Sequence, residues 1–196
     1  MSVIRLAGLI IGSISFLLMV ISIAIPYWIY LVDKEVQVAD FGWAYFITAN
    51  IGFWDYCLST NFNGFTGSRC GKFYESNRND IINASAAMLL LGMLLIAGSV
   101  VVCGTSLLYM KERKLFSIVG GVCAFFSGTC MLIGVALYGH AYWGKILIDG
   151  FSLTVSHMYG PSFYMAIVAT FCALVSGGMQ IASRGVSNMS VKPSGI

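Results

Sequence analysis

Four stretches of this chain run for more than twenty residues without an aspartate, glutamate, lysine or arginine: Leu6 to Tyr30, Ile81 to Met110, Leu115 to Gly144 and Met158 to Ser183. About 20 apolar residues suffice for a helix to cross the hydrocarbon of a bilayer. No water is present there to satisfy a peptide group, so each run has to bond its own backbone as a helix. The chain therefore reads as a membrane protein with four spans. Composition agrees, because only 10% of the 196 residues are charged and 58% are hydrophobic. A soluble domain carries about 25% charged residues. The net charge of +3 makes no case for nucleic acid as a partner. The two central runs are long enough to tilt or to project beyond the membrane.

The basic residues set an expected orientation. Arg5 precedes the first run, Lys111, Arg113 and Lys114 separate the second from the third, and Arg184 and Lys192 follow the fourth. The segment Asp33–Asp80 has four basic residues against six acidic ones. Lysine and arginine favour the cytoplasmic side. Both termini, the 111–114 turn and the 184–196 tail are then expected inside. The 31–80 loop and the shorter 145–157 loop are expected outside. A second reading of the first run is a cleaved signal peptide, since Ser22-Ile23-Ala24 has the small-x-small form of a cleavage site. Its apolar stretch is longer than such peptides use, and its removal would leave the other spans oriented as before.

The six cysteines sort by compartment. Cys103, Cys123, Cys130 and Cys172 fall within spans, where cysteine acts as a small apolar residue. Only Cys57 and Cys70 lie in the outside loop. That side is oxidising, so a disulfide is expected between them. The same loop is rich in β-forming residues at 29–32, 36–38, 43–47, 53–58 and 72–74, with Asn61, Asn63, Gly64 and Gly67 as turn formers between the cysteines. An antiparallel sheet with a disulfide-pinned hairpin follows. It is too small for a core of its own and is expected to rest on the ends of the helices.

Trp28, then Gly52-Phe53-Trp54-x-x-Cys57, then Cys70 resembles the signature of the claudins: a tryptophan, G-L-W-x-x-C and a second cysteine. Lys72-Phe73-Tyr74-Glu75-Ser76 is similar to the claudin run K-V-Y-D-S, and Gly177-Gly178 in the fourth span also resembles claudins. The wider superfamily includes peripheral myelin and epithelial membrane proteins, lens-fibre proteins and calcium-channel gamma subunits. This chain departs from typical claudins in its longer cysteine spacing, in Gly71, and in Ala86 where claudins carry an arginine. Tyr159-Gly160-Pro161-Ser162-Phe163-Tyr164 looks closer to the channel gamma subunits. The expected fold is a left-handed four-helix transmembrane bundle with a small extracellular antiparallel β-sheet.

By resemblance, the expected function is that of a junctional protein of the plasma membrane. It would associate with itself and related tetraspan proteins, side by side and across the intercellular gap, as a paracellular barrier or pore. The alternatives are an auxiliary subunit that regulates a channel or receptor and a myelin-type adhesion protein. Neither an enzyme nor a cofactor is expected. His140 and His157 are the only histidines, and no nucleophile–base set or phosphate-binding loop accompanies them. Ionisable groups inside the spans, which pumps and transporters need, are also missing from the four runs.

Several residues carry a bland reading beside a functional one. Asp55, Arg69, Lys72 and Glu75 are candidates for charge selectivity, or an ordinary solvated surface. Gly8-x-x-x-Gly12 and Ala124-x-x-x-Gly128 pack one bundle or join two subunits. Tyr27, Trp28, Tyr142 and Trp143 suit a membrane-interface belt, while Trp28 and Trp54 are also candidates to clamp sheet to bundle. Asn83-Ala84-Ser85 is a glycosylation sequon close to the membrane, and Asn188-Met189-Ser190 is one on the cytoplasmic side. Ser194 and Ile196 match a two-residue ligand pattern for a PDZ scaffold.

Overall fold

The computed structural model describes residues 3–38, 43–62, 65–72, 80–109, 114–141, 146–148, 151–153 and 158–189. Its four long helices are α1 (Val3–Ala24), α2 (Asp80–Tyr109), α3 (Lys114–Ala141) and α4 (Pro161–Met189). Each contains a stretch long and apolar enough to cross a membrane. The strands are β1 (Ile29–Val38), β2 (Trp43–Ile51), β3 (Asp55–Phe62), β4 (Phe65–Lys72), β5 (Ile146–Ile148), β6 (Phe151–Leu153) and β7 (Met158–Tyr159). One antiparallel sheet runs β4-β3-β2-β1-β7, and β5 and β6 pair separately.

Two helix boundaries differ from the expectation, for one physical reason. The first apolar run reaches Tyr30, yet α1 ends at Ala24. Pro26 cannot donate to the helical ladder and stops the helix nearby. The run stays apolar because Ile29 and Leu31 of β1 are themselves core residues. Likewise Met158 and Tyr159 form β7, and α4 begins at Pro161, the position where a missing N–H costs least. At the other end α1 starts at Val3, so Arg5 lies inside the helix and its Nε donates to Ser183 Oγ at 3.4 Å. Helix α4 continues to Met189 instead of giving way to a tail after Ser183.

Cross-strand register explains the sheet. In β1, pairing with β2 shifts between Leu31 and Lys34, joining two expected β segments into one irregular strand. Cys57 pairs with Cys70, and the strand ends Phe62 and Phe65 face one another. Asn61 and Gly67, expected in the turn, belong instead to β3 and β4. Asn63 and Gly64 lie outside the described residues.

The helices meet as α1–α4, α4–α3 and α3–α2, with α1 and α2 the loosest neighbours. Serine hydroxyls bridge them at main-chain carbonyls. Ser15 donates to Ala169 O and Ser22 to Ser162 O at 2.7 Å, and Ser176 donates to Gly8 O at 2.6 Å, tying α1 to α4. Ser85 donates to Gly134 O, Ser99 to Gly120 O and Ser127 to Gly92 O at 2.7 Å, tying α2 to α3. Such bonds need close backbones, which small residues allow. Gly8 and Gly12 face Ser176, and Gly128 faces Leu174. Both small-residue motifs therefore serve packing within the bundle.

A buried amide, Gln180, joins this ladder near the end away from the sheet. Its Nε2 donates to Ser176 Oγ at 3.2 Å, and its Oε1 accepts from Cys103 Sγ at 2.9 Å. Cys103 is thus a hydrogen-bond donor to an amide and not only an apolar filler. An amide in a membrane interior needs such partners.

Adjacent glycines give the packing a clean test. A Cβ on Gly177 would meet Phe125 N at 2.7 Å and Gly121 O at 2.9 Å, whereas a Cβ on Gly178 meets nothing within 4 Å. Gly177→Ala is expected to destabilise by about 1–3 kcal/mol. Gly178→Ala is expected to be neutral within about 0.5 kcal/mol or slightly stabilising. Thermal unfolding of the two purified variants in one detergent checks the contrast.

Candidate recognition surface

Where α1 gives way to the sheet, the backbone is tied at several points. Trp28 N donates to Ile51 O at 3.0 Å, Gly160 N to Trp28 O at 2.8 Å and Ser162 N to Tyr27 O at 3.2 Å. Two glycines are dictated by these approaches. A Cβ on Gly160 would collide with the carbonyl of Tyr27, and one on Gly52 would lie 2.6 Å from Pro26 Cα. The glycine of the signature motif is therefore a steric requirement, because the β2–β3 turn lies directly on the proline that ends α1.

Trp28 occupies the centre of this junction. It is wholly buried, and its Nε1 donates to Ser22 O at 2.7 Å. Its ring lies 4.4 Å from Phe53 in an edge-on contact, 4.8 Å from Tyr138 and 5.8 Å from Phe163. Phe53 and Tyr138 are 4.6 Å apart, and Phe163 stacks on Tyr159 at 4.3 Å. Aromatic residues from the link between α1 and β1, the β2–β3 turn, α3 and α4 thus converge. Tyr159 also donates to Gly139 O at 3.2 Å. Burial, with Tyr164 nearby, pushes its phenol above the ordinary range.

This geometry corrects two expectations. Trp28 is sealed inside the protein and is no part of an interface belt. The second clamp is Phe53, 2% exposed, and not Trp54, which is 41% exposed. Tyr27 is partly exposed, as a belt residue would be; Tyr142 and Trp143 lie outside the described residues.

Strand alternation assigns the two faces of the sheet. Ile29, Leu31, Ala49 and Ile51 belong to the core, with Tyr56 and Leu58 packed against it. Tyr30, Asn50, Cys57 and Cys70 take the alternate positions. A disulfide joins Cys57 to Cys70. It lies on the face turned away from the helices, pinning β3 to β4. The charge candidates divide between faces. Asp55 pairs with Lys72 in the row next to the disulfide, whereas Arg69 pairs with Leu58 on the alternate face. Arg69 and Lys72 are exposed and Asp55 is half-buried. Asp55 Oδ1 and Asn50 Oδ1 are shielded and have no hydrogen-bond partner among the described residues.

Asn83 is exposed within the first turns of α2, inside the stretch able to span the membrane. His140 is exposed in the last turn of α3. No three metal-ligating side chains come together among the described residues. Glu75, His157, Ser194 and Ile196 lie outside the described residues, and so does the Asn188 side chain. Sequence reading missed the serine ladder and Tyr138. The serines recur at helical spacing but carry no signature in isolation, and Tyr138 is one apolar-run residue among many.

Four apolar helices, a sheet seated on one end by aromatic residues and a cross-strand disulfide define a four-span membrane protein built to display a small sheet. Residues 1–180 match the PMP-22/EMP/MP20/Claudin family, and the chain belongs to it. Members of that family are non-enzymatic membrane proteins. No curated protein matches the chain.

Trp28→Ala is expected to cost about 3–5 kcal/mol, because it empties a fully packed aromatic site. Trp54→Ala changes a half-open position and should cost about 1 kcal/mol or less. Loss of the disulfide through Cys57→Ser with Cys70→Ser removes about 2–4 kcal/mol. Thermal midpoints in detergent and delivery to the cell surface should show Trp28→Ala as the most impaired, the double serine variant next and Trp54→Ala the least.

Proposed function

We propose that the protein is a claudin-like tetraspan of cell–cell junctions in the plasma membrane. Its sheet faces the intercellular gap, and both ends of the chain and the α2–α3 link face the cytoplasm. The basic residues around Arg5 and 111–114 support this orientation. Neighbouring molecules associate side by side and across the gap, forming a paracellular barrier or pore.

One observation carries the reading. Among the described residues the bundle covers only one face of the sheet, leaving the disulfide face and one edge available. Strand β4 ends the sheet and pairs with β3, and its residues 66–70 are exposed. An edge strand offers unpaired N–H and C=O groups to another chain. Asp55 and Lys72, on the open face, are placed to bias ions in a path lined by such sheets. Charges farther than roughly 8–10 Å from that path are screened at physiological salt.

A second reading, an auxiliary subunit of a channel or receptor, draws on the gamma-subunit resemblance of Tyr159–Tyr164. The deciding experiment expresses the protein in an epithelial layer that lacks its own barrier. Resistance should change, and Asp55→Lys and Lys72→Glu should shift the sodium-to-chloride permeability ratio in opposite directions. Background resistance and an unchanged ratio for wild type and both variants reject the junctional reading. Co-purification with a channel from native membranes would then favour the second.

A further inference from the structure

The outward face of each helix changes character near the sheet. Exposed Leu17 and Ile21 give way to exposed Tyr27 just beyond α1. On α2, exposed Leu94 and Leu91 give way to Asn83 and Asp80 in the first turns. On α3, Leu132 and Ile133 give way to His140, and on α4 Phe171 and Val168 give way to Tyr164. From Tyr164 the exposed apolar face of α4 continues to Ile181, about 25 Å at roughly 1.5 Å per residue. The hydrocarbon of a bilayer is about 30 Å thick. The four switch points therefore mark the edge of the hydrocarbon at the sheet-bearing end. Tyrosine and tryptophan suit that zone, being apolar over most of the ring and polar at one end.

Close backbone contacts bring the β2–β3 turn down to this level. Gly52 lies against Pro26, and Ser162 N donates to Tyr27 O at 3.2 Å. Two residues beyond Gly52, Trp54 borders Ile23 of α1 and Ala86, Leu89 and Leu90 of α2 around a shallow apolar depression. Those four neighbours belong to stretches able to cross the membrane. Trp54 is still 41% exposed, while the adjoining Phe53 is 2% exposed. One turn thus sends one aromatic ring into the protein and the next outward at the height of the spans.

We infer that Trp54 anchors the sheet to the lipid bilayer itself, its indole seated at the glycerol level of the phospholipids beside α1 and α2. Phe53 holds the β2–β3 turn to the bundle, and Trp54 holds the same turn to the membrane surface. The medium around Ile23 and Leu90 is lipid, so the exposed part of the ring next to them meets lipid and not a soluble partner. The polar N–H of an indole favours the glycerol zone over the deeper hydrocarbon. Tyr27 and Tyr164 occupy the same zone beside α1 and α4. The height of the sheet over the membrane then follows the bilayer, whether or not sheets of neighbouring molecules meet.

The test places the full-length protein in phosphatidylcholine vesicles and reads tryptophan fluorescence. The quenchers are nitroxide lipids labelled at an upper acyl carbon or near the acyl end, and aqueous iodide. Subtracting the spectrum of Trp54→Phe isolates the signal of Trp54. That signal should be quenched most by the upper acyl label, and Trp54→Phe should lose this quenching. Leu94→Trp in the Trp54→Phe background puts an indole deeper, at an exposed position of α2, and should be quenched most by the acyl-end label. Strongest quenching of Trp54 by iodide places the ring in water and overturns the inference. Strongest quenching by the acyl-end label, or the same depth for both indoles, does so too. A Trp54 signal that neither lipid label reaches assigns the ring to a contact between protein molecules and also overturns it. Should Trp54→Phe fail to fold, the wild type decides with a phosphatidylcholine carrying a diazirine on an upper acyl carbon. Photolabelling of Trp54, mapped by mass spectrometry, supports the anchor, and an unlabelled Trp54 peptide overturns it.

Discussion

A small antiparallel sheet has one apolar face to bury and little material of its own to bury it against. Here the indole of Trp28 is the surface on which that face is built. Its ring contacts the β2–β3 turn through Phe53, α3 through Tyr138 and α4 through Phe163. Its N–H returns to Ser22 of α1. Buried aromatic side chains of this size dominate core energetics, and their edge-on contacts add about 0.5–1.5 kcal/mol each. The disulfide acts on the opposite side of the sheet and holds two strands to one another. The anchor sets where the sheet stands, and the disulfide limits how far its outer strands can part.

The anchor depends in turn on how closely the helices approach. Lipid tails are as apolar as leucine, so burial from water cannot gather helices within the membrane. Contact and hydrogen bonding do so here. A glycine or alanine brings the backbones together, and a serine on the facing helix then reaches an exposed carbonyl. The motif recurs along both the α1–α4 and α2–α3 pairs. Gln180, its main chain and its neighbouring serines extend the same chemistry towards the opposite end of the bundle.

Much of this architecture was legible in the residues. Charge-free runs disclose spans because lipid excludes unpaired charge, and the pair Cys57 and Cys70 stands out against an apolar background. The family motif pointed to Trp28, Gly52 and Phe53, although only the fold explains each: a buried indole, a backbone contact with Pro26 and a ring edge. The end of α1 was harder to read. An inward-facing strand beside a span is as apolar as the span, so hydrophobicity alone does not mark where helix becomes strand. The division of Asp55 and Lys72 from Arg69 was hidden as well, because it depends on cross-strand register. Trp54 looked like a clamp by residue type, yet its neighbour Phe53 holds that place.

The order in which the helices pair also constrains synthesis. Helix α1 enters the membrane first, but its hydroxyl and glycine partners lie on α4, as far as 168 residues away in sequence. Helices α2 and α3 can bond as soon as both have been inserted. The bonds between α1 and α4 cannot form until the fourth span is in place. Completion of the fourth span is the event that closes the bundle.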